Sequence, residues 1–272
     1  MLYSPILSFI RLIILVPWIT IISFCQFLVV CFCKRFFFVF YKFLFFGIRK
    51  IFGIKLKVSG KQEEKRVMFI SNHISYLDII ILGSLVNAVF VAKSEIRGWP
   101  IINKLCMLGK TIFVERGNRR SVKKQAILIK ENMENGLNVI LFPEGTSSDG
   151  SKVLSFKSSL FEVVDHEELR NYKIQPISIS YNKLDGLPLV KIHRPFLAWF
   201  GAMNLAPHVW KFLGLGTSEV NIRFHKSEKF SDFLNRKEAC KYCFEKISEQ
   251  VIKDYRLLEV DNKIKLNEFK FL

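Results

Sequence analysis

Val67-Met68-Phe69-Ile70-Ser71-Asn72-His73-Ile74-Ser75-Tyr76-Leu77-Asp78 runs from an unbroken apolar tetrad, through a short polar turn, into a second apolar run. Four apolar residues bounded by polar ones predict a buried strand, and Leu77 to Leu85 predicts the helix that follows it. A histidine and a carboxylate at such a junction are the minimum apparatus for drawing a proton from an alcohol near neutral pH. The carboxylate fixes the imidazole tautomer and steadies the imidazolium that forms. Five residues of regular helix turn the chain about 500°, which leaves positions 73 and 78 about 140° apart. The pair therefore meets only if His73 precedes the helix and Asp78 reaches back from its first turns. Ser71, Asn72 and Ser75 suit that junction as capping residues. An ordinary capped turn would use the same residue types, so this stretch by itself leaves both readings open.

A second segment, Val139-Ile140-Leu141-Phe142-Pro143-Glu144-Gly145-Thr146-Ser147-Ser148-Asp149-Gly150, reads as a buried strand ending in a polar turn with a carboxylate and several hydroxyls. Together the two segments resemble the glycerolipid acyltransferases of the lysophosphatidic acid acyltransferase type. The signature of that family is a histidine, four residues and an aspartate, followed downstream by Phe-Pro-Glu-Gly-Thr. Gly109-Lys110-Thr111-Ile112-Phe113-Val114-Glu115-Arg116 resembles the family's glycine, Phe and Arg motif, and Ile174-Gln175-Pro176-Ile177-Ser178-Ile179 its proline-containing strand. Lys93 sits where the family commonly carries a lysine. The resemblance runs from about Val67 to about Tyr181, and more loosely to His225.

The resemblance implies a mixed α/β sheet flanked by helices, the glycerolipid acyltransferase fold. It also implies acyl transfer from acyl-CoA or acyl-carrier protein to the hydroxyl of 1-acyl-glycerol-3-phosphate, giving phosphatidic acid, with no cofactor and no metal. His73 would take the hydroxyl proton and Asp78 would orient His73, so no covalent acyl-enzyme is needed. Arg116 matches the arginine that grips the acceptor's phosphate, which suits the two parallel donors of a guanidinium. Lys93 would add a charge at that head group or at the donor. Glu144 would order the turn and contact the acceptor, with Gly145 and Thr146 supplying close backbone approach and a hydroxyl.

There is one departure from the pattern. Many members follow Phe-Pro-Glu-Gly-Thr with an arginine, whereas this chain has Ser147-Ser148-Asp149-Gly150. A cation is missing and a carboxylate is added, and bacterial enzymes that acylate lyso-ornithine lipid, which has no phosphate, resemble this variant. Lysophosphatidic acid is thus the expected acceptor and lyso-ornithine lipid the alternative. A non-catalytic membrane scaffold and a thioesterase are the readings from other classes. The complete His73/Asp78 pair speaks against the scaffold, and the absence of a G-x-S-x-G elbow speaks against a serine hydrolase.

The 272 residues could hold one α/β domain and a smaller element. From Leu12 to Cys33 there is no charge, a run long enough to cross the hydrocarbon of a bilayer as a helix. Phe36 to Ile48 is shorter and aromatic, which suits the interface between head groups and acyl chains. No acidic residue precedes Glu63, while basic residues cluster after the apolar run. By the positive-inside rule this puts the rest of the chain at the cytoplasmic face of the cell's inner membrane, held to anionic lipids. Residues 1–57 are therefore expected as membrane-anchoring helices and 58–272 as the acyltransferase domain. The net charge of +17 is spread along the chain without a nucleic-acid-binding motif, so nucleic acid is not an expected partner. The six cysteines form no disulfide or zinc pattern.

Alternating signals continue downstream. Strands are expected at Val89–Ala92, Thr111–Val114, Asn138–Phe142, Ile174–Tyr181, Leu189–His193 and Val220–His225, with helices at Pro100–Met107, Arg120–Asn135 and Arg236–Leu257. Phe196 to Leu215, apolar but broken by Gly201 and Pro207, reads as a core lid or a membrane-facing insertion. His166, His193, His208 and His225 lack a neighbouring constellation and are expected to be structural or exposed.

Overall fold

The computed structural model describes residues 3–115 and 119–268, with side chains described except at 119–121 and 259–268. The chain begins with α1 (Pro5–Phe32), entered through Ser4, whose hydroxyl accepts from the Leu7 N–H, with proline in the first turn where no donor is lost. A 3-10 turn leads to α2 (Phe37–Ile51), and Gly53, at φ +71°, swings the chain into β1 (Ile54–Ser59). A side chain at Gly53 would collide with the Gly216 carbonyl at 2.8 Å as well as adopt a disfavoured backbone.

Beyond β1 come β2 (Val67–Ser71), α3 (Leu77–Leu85), β3 (Ala88–Lys93), α4 (Pro100–Leu108), β4 (Ile112–Val114), α5 (Arg119–Glu134) and β5 (Asn138–Leu141). The remainder is β6 (Lys173–Leu184), β7 (Leu187–Pro188), α6 (Leu205–Leu213), β8 (Ser218–Phe224), β9 (Glu228–Lys229) and α7 (Arg236–Glu268). The strands form one mixed sheet in the order β1-β8-β6-β2-β5-β3-β4, with β7 and β9 on β6. Pairing is parallel from β6 through β4 and antiparallel between β6 and β8. Every residue of β2 and of β5 is buried, as expected of parallel strands covered on both faces. Truncating one of their large side chains, such as the fully buried Phe69, would cost about 3–5 kcal/mol.

Because β2, β3, β4 and β5 point the same way, the residues that follow them share one edge of the sheet. Ligands in open α/β sheets bind outside the carboxyl ends of the strands. His73 follows β2, Lys93 ends β3, and Glu144 follows β5.

Two expectations about the elements need correction. Leu189–His193 is not a strand: pairing stops at Pro188, and Lys191–Phe196 is a 3-10 turn containing Pro195. Prolines lack the donor that a ladder requires. Conversely, β1 was not expected. It is an edge strand whose Lys55 and Lys57 are exposed, a charge pattern that guards an edge and hides the strand signal. It crosses position 57/58 and pairs with β8, so the sheet begins before residue 58. The Phe196–Leu215 stretch is split, with Leu197, Ala198, Phe212 and Leu213 buried while Phe196 and Trp210 reach the surface.

α1 is long and apolar enough to cross a membrane. One side of it lies along the rest of the molecule. Near its start Arg11 donates to the Leu213, Leu215 and Gly216 carbonyls, midway Trp18 donates to Leu44 O, and near its end Gln26 donates to Leu108 O. The other side exposes Phe9, Ile13, Val16, Phe24, Phe27 and Phe32.

Candidate active site

The turn between β2 and α3 is organised by one carboxylate. Asp78, fully buried, accepts from the backbone N–H groups of Ile74 (2.6 Å) and Ser75 (2.9 Å) through Oδ2, and that oxygen also lies 2.9 Å from His73 Nδ1. Its other oxygen accepts from the Tyr181 hydroxyl at 2.7 Å. A carboxylate surrounded by donors is an acceptor, so Nδ1 carries the imidazole proton and Nε2 is left as the basic nitrogen. The His73 side chain is 18% exposed and Asp78 0%, so the imidazole can be reached from outside while the carboxylate cannot.

The polar residues before the helix do not cap it as their types suggest. α3 has no side-chain cap, because Asp78 in its own first turn bonds the N–H groups that precede the helix. Asn72 instead crosses to β6, donating to Ile179 O and accepting from Ile179 N–H at 2.9 Å each, which locks the end of β2 against its neighbour.

The turn after β5 is fastened to the same place. Glu144 Oε1 accepts from the His73 N–H at 2.9 Å, and Oε2 accepts from the Leu154 N–H at 3.2 Å. Ser148 donates its N–H to the His73 carbonyl at 3.0 Å, and the imidazole stacks on Phe142 with ring centroids 4.2 Å apart. Burial raises the Glu144 carboxyl to about 8, against the opposing pull of those two N–H donors, and the nearby charge of Asp78 adds to the rise. Both Glu144 oxygens are engaged by backbone, so the part of its expected role that the geometry carries is the ordering of the turn. Gly145, at φ +72°, is buried, and Thr146 is exposed beside it.

Lys93 lies in register with Val114, at the ends of β3 and β4. Arg116 lies outside the described residues. His208 packs on the turn after β2 rather than standing apart: its Nδ1 is 3.2 Å from the Tyr76 hydroxyl, and its Nε2 is 3.1 Å from Ala198 O. Burial lowers its pKa despite those carbonyls. Tyr181 carries no functional signal in the sequence. It continues the apolar face of Ile177 and Ile179 in its strand, and nothing local signals that its hydroxyl meets Asp78. The concavity along α7, lined by Glu249, Ile252, Lys253, Arg256 and Leu257, includes none of these residues and is open to solvent. Among the described residues no group of His, Cys, Asp and Glu could hold a metal ion.

A family model described as Acyltransferase matches residues 55–180. The chain is 35% identical over 206 residues to a lyso-ornithine lipid O-acyltransferase of Rhizobium meliloti, covering 74% of this chain and 70% of that protein. It is 32% identical over 110 residues to a 1-acyl-sn-glycerol-3-phosphate acyltransferase of Neisseria gonorrhoeae, covering 40% of this chain and 43% of that protein. Its fold is similar to the crystal structure of a 1-acyl-sn-glycerophosphate acyltransferase of Thermotoga maritima, with a TM-score of 0.66, 22% identity, and coverage of 91% and 94% of the two chains.

Proposed function

The chain belongs to the glycerolipid acyltransferase family, and from that premise we propose that it acylates the free hydroxyl of lyso-ornithine lipid. It is an acyltransferase whose partners are an acyl donor and a lyso-lipid acceptor. The observation that carries the acceptor is the extent of similarity: the lyso-ornithine lipid enzymes match over most of the chain, the glycerol phosphate enzymes over a shorter central part. The Ser147-Ser148-Asp149-Gly150 variant, which lacks a cation where many relatives of the phosphate type have one, supports the same reading. Lysophosphatidic acid, the acceptor expected from the motifs, becomes the second reading, favoured by Arg116 at the family's phosphate-gripping position.

In the reaction His73 Nε2 removes the acceptor's hydroxyl proton as the oxygen attacks the thioester carbonyl of acyl-CoA or acyl-carrier protein. The tetrahedral intermediate collapses with breakage of the C–S bond, the thiolate recovers the proton from His73, and an ester and a free thiol result. Asp78 holds the imidazole and offsets its positive charge while the proton resides there. With an acceptor that has no phosphate, Lys93 and Arg116 serve the donor, since coenzyme A and the carrier's pantetheine arm both bear phosphate.

We assign residues 1–57 to membrane anchoring and 58–272 to catalysis, with β1 the strand that joins the two. α1 lies in the membrane surface rather than crossing it. Its contacts from Ser8 to Gln26 follow the rest of the molecule over about 27 Å, so a bilayer cannot separate its two ends from that body. The test of the acceptor is purified protein with an acyl thioester and each lyso-lipid in turn, the products being separated and weighed. Acylation of lyso-ornithine lipid is expected, and exclusive acylation of lysophosphatidic acid would reverse the assignment.

A further inference from the structure

Charges that the transfer step does not use lie in two loops tied to the turn that carries His73. Asp149 follows Ser148, whose N–H donates to the His73 carbonyl at 3.0 Å, and precedes Gly150, which packs on Ile74 so closely that a Cβ would meet its Cγ2 at 3.1 Å. Asp149 is therefore held beside the base. Its Oδ1 accepts from the N–H (2.9 Å) and hydroxyl (2.7 Å) of Ser151, leaving Oδ2 without a partner among the described residues. The second loop, the 3-10 turn Lys191–Phe196, is tied to the same turn by Trp199, whose N–H donates to Ile74 O at 3.1 Å. That 3-10 turn carries Arg194, whose guanidinium stacks 4.4 Å from the centre of the Tyr255 ring and whose buried Nε has no hydrogen-bond partner among the described residues. Asp149 feels the charges of Arg194 and Lys191, yet it closes no ion pair with either within 4.0 Å.

We propose that Asp149 and Arg194 form a subsite that reads a zwitterionic head group, Asp149 holding an ammonium and Arg194 a carboxylate. The assignment rests on the lyso-ornithine lipid reading and follows from the chemistry of ornithine. That amino acid has two amines, one carboxylate and no hydroxyl. An acceptor built on it for O-acylation must carry its hydroxyl on the attached fatty chain. Whichever amine bears that chain as an amide, one ammonium and one carboxylate remain. Two opposite charges, unpaired with each other and carried by loops tied to the turn of the base, match those two groups. A phosphate monoester has no group for Asp149 and is repelled by it, so the same residue discriminates against the other acceptor.

The experiment measures acceptor KM for hydroxyacyl-ornithine in detergent and for two derivatives, one acetylated on the remaining amine and one methyl-esterified on the carboxylate. The proteins are the wild type, Asp149→Asn, Arg194→Gln and Arg194→Lys. Wild type should show KM about 10-fold higher for either derivative. Asp149→Asn should raise KM for the native lipid by about the same factor and gain no further penalty from acetylation, and Arg194→Gln should behave likewise towards the ester. Arg194→Lys should recover part of the loss. Since Arg194 also packs on Tyr255, the wild-type comparison of ester and acid reads the contact without a mutation. If wild type acylates all three lipids with one KM, or the variants match wild type on each, the subsite is overturned and the acceptor assignment stands. If wild type does not acylate the native lipid at all, the acceptor assignment falls and takes the subsite with it.

Discussion

Glu144→Gln replaces the carboxyl that joins the two motif segments with a neutral group of the same shape, and the structure sets how stability should respond to pH. Burial holds the Glu144 carboxyl at about 8, whereas its ordinary value is 4.5. Between those values the folded protein keeps a proton that the unfolded chain has released, so stability falls as pH rises. The contribution is complete below the ordinary value and is gone once pH has passed through about 8. A gap of about 3.5 pH units, at about 1.4 kcal/mol each, amounts to roughly 5 kcal/mol over the window. The amide does not titrate. It can still accept from the His73 N–H, but its NH2 group faces the Leu154 N–H donor to donor, a cost of about 1–3 kcal/mol that does not vary with pH. Wild type should therefore be the more stable protein near pH 5, the variant the more stable near pH 9, and the two curves should cross. Denaturant unfolding of both proteins in one detergent across that range reads the difference, which cancels every other titrating group. A stability difference that stays constant with pH would refute the reasoning.

Tyr181→Phe removes the donor to Asp78 Oδ1 while keeping the ring. It should cost about 1.5–3 kcal/mol in unfolding free energy and lower kcat more than it raises KM, and unchanged values of both would make that hydrogen bond incidental. Arg116→Ala should raise KM for the acyl thioester more than for the lyso-lipid, and the opposite split would return the arginine to an acceptor phosphate. The full-length protein should stay with membranes washed in about 1 M salt, because apolar burial by α1 does not weaken with ionic strength, and release into the wash would mean that the basic residues alone hold it.

Most of the parallel part of the sheet was legible in the chain, for a physical reason. β2 and β5 are buried on both faces, so they appear as unbroken apolar runs, and the polar turns after them stand out by contrast. The condition that His73 must precede the helix for Asp78 to reach it also follows from helical geometry alone, and the observed turn has that form. The chain is less informative where side chains act across strands. The hydroxyl of Tyr181 meets Asp78 from another strand, and Asn72, whose type suggests a cap, spends its amide on Ile179. β1 is hidden in the sequence because lysines on an edge strand read as surface. The Leu189–His193 run reads as a strand because its apolar content conceals what the flanking prolines do to a ladder. Asp149 is visible only as a departure from a pattern, and its relation to Arg194 depends on two separate loops converging on His73 and Ile74.

The central claim is that His73 is the base for acyl transfer to a lyso-lipid, and one comparison tests it most directly: turnover of wild type and His73→Ala with lyso-ornithine lipid and an acyl thioester, at saturating concentrations of both. His73 is partly exposed, but its ring donates to buried Asp78 and stacks on Phe142, so the variant should remain folded with a lowered melting temperature while its kcat falls by about 10²- to 10⁴-fold. Turnover by a folded His73→Ala protein within a few-fold of wild type would contradict the account.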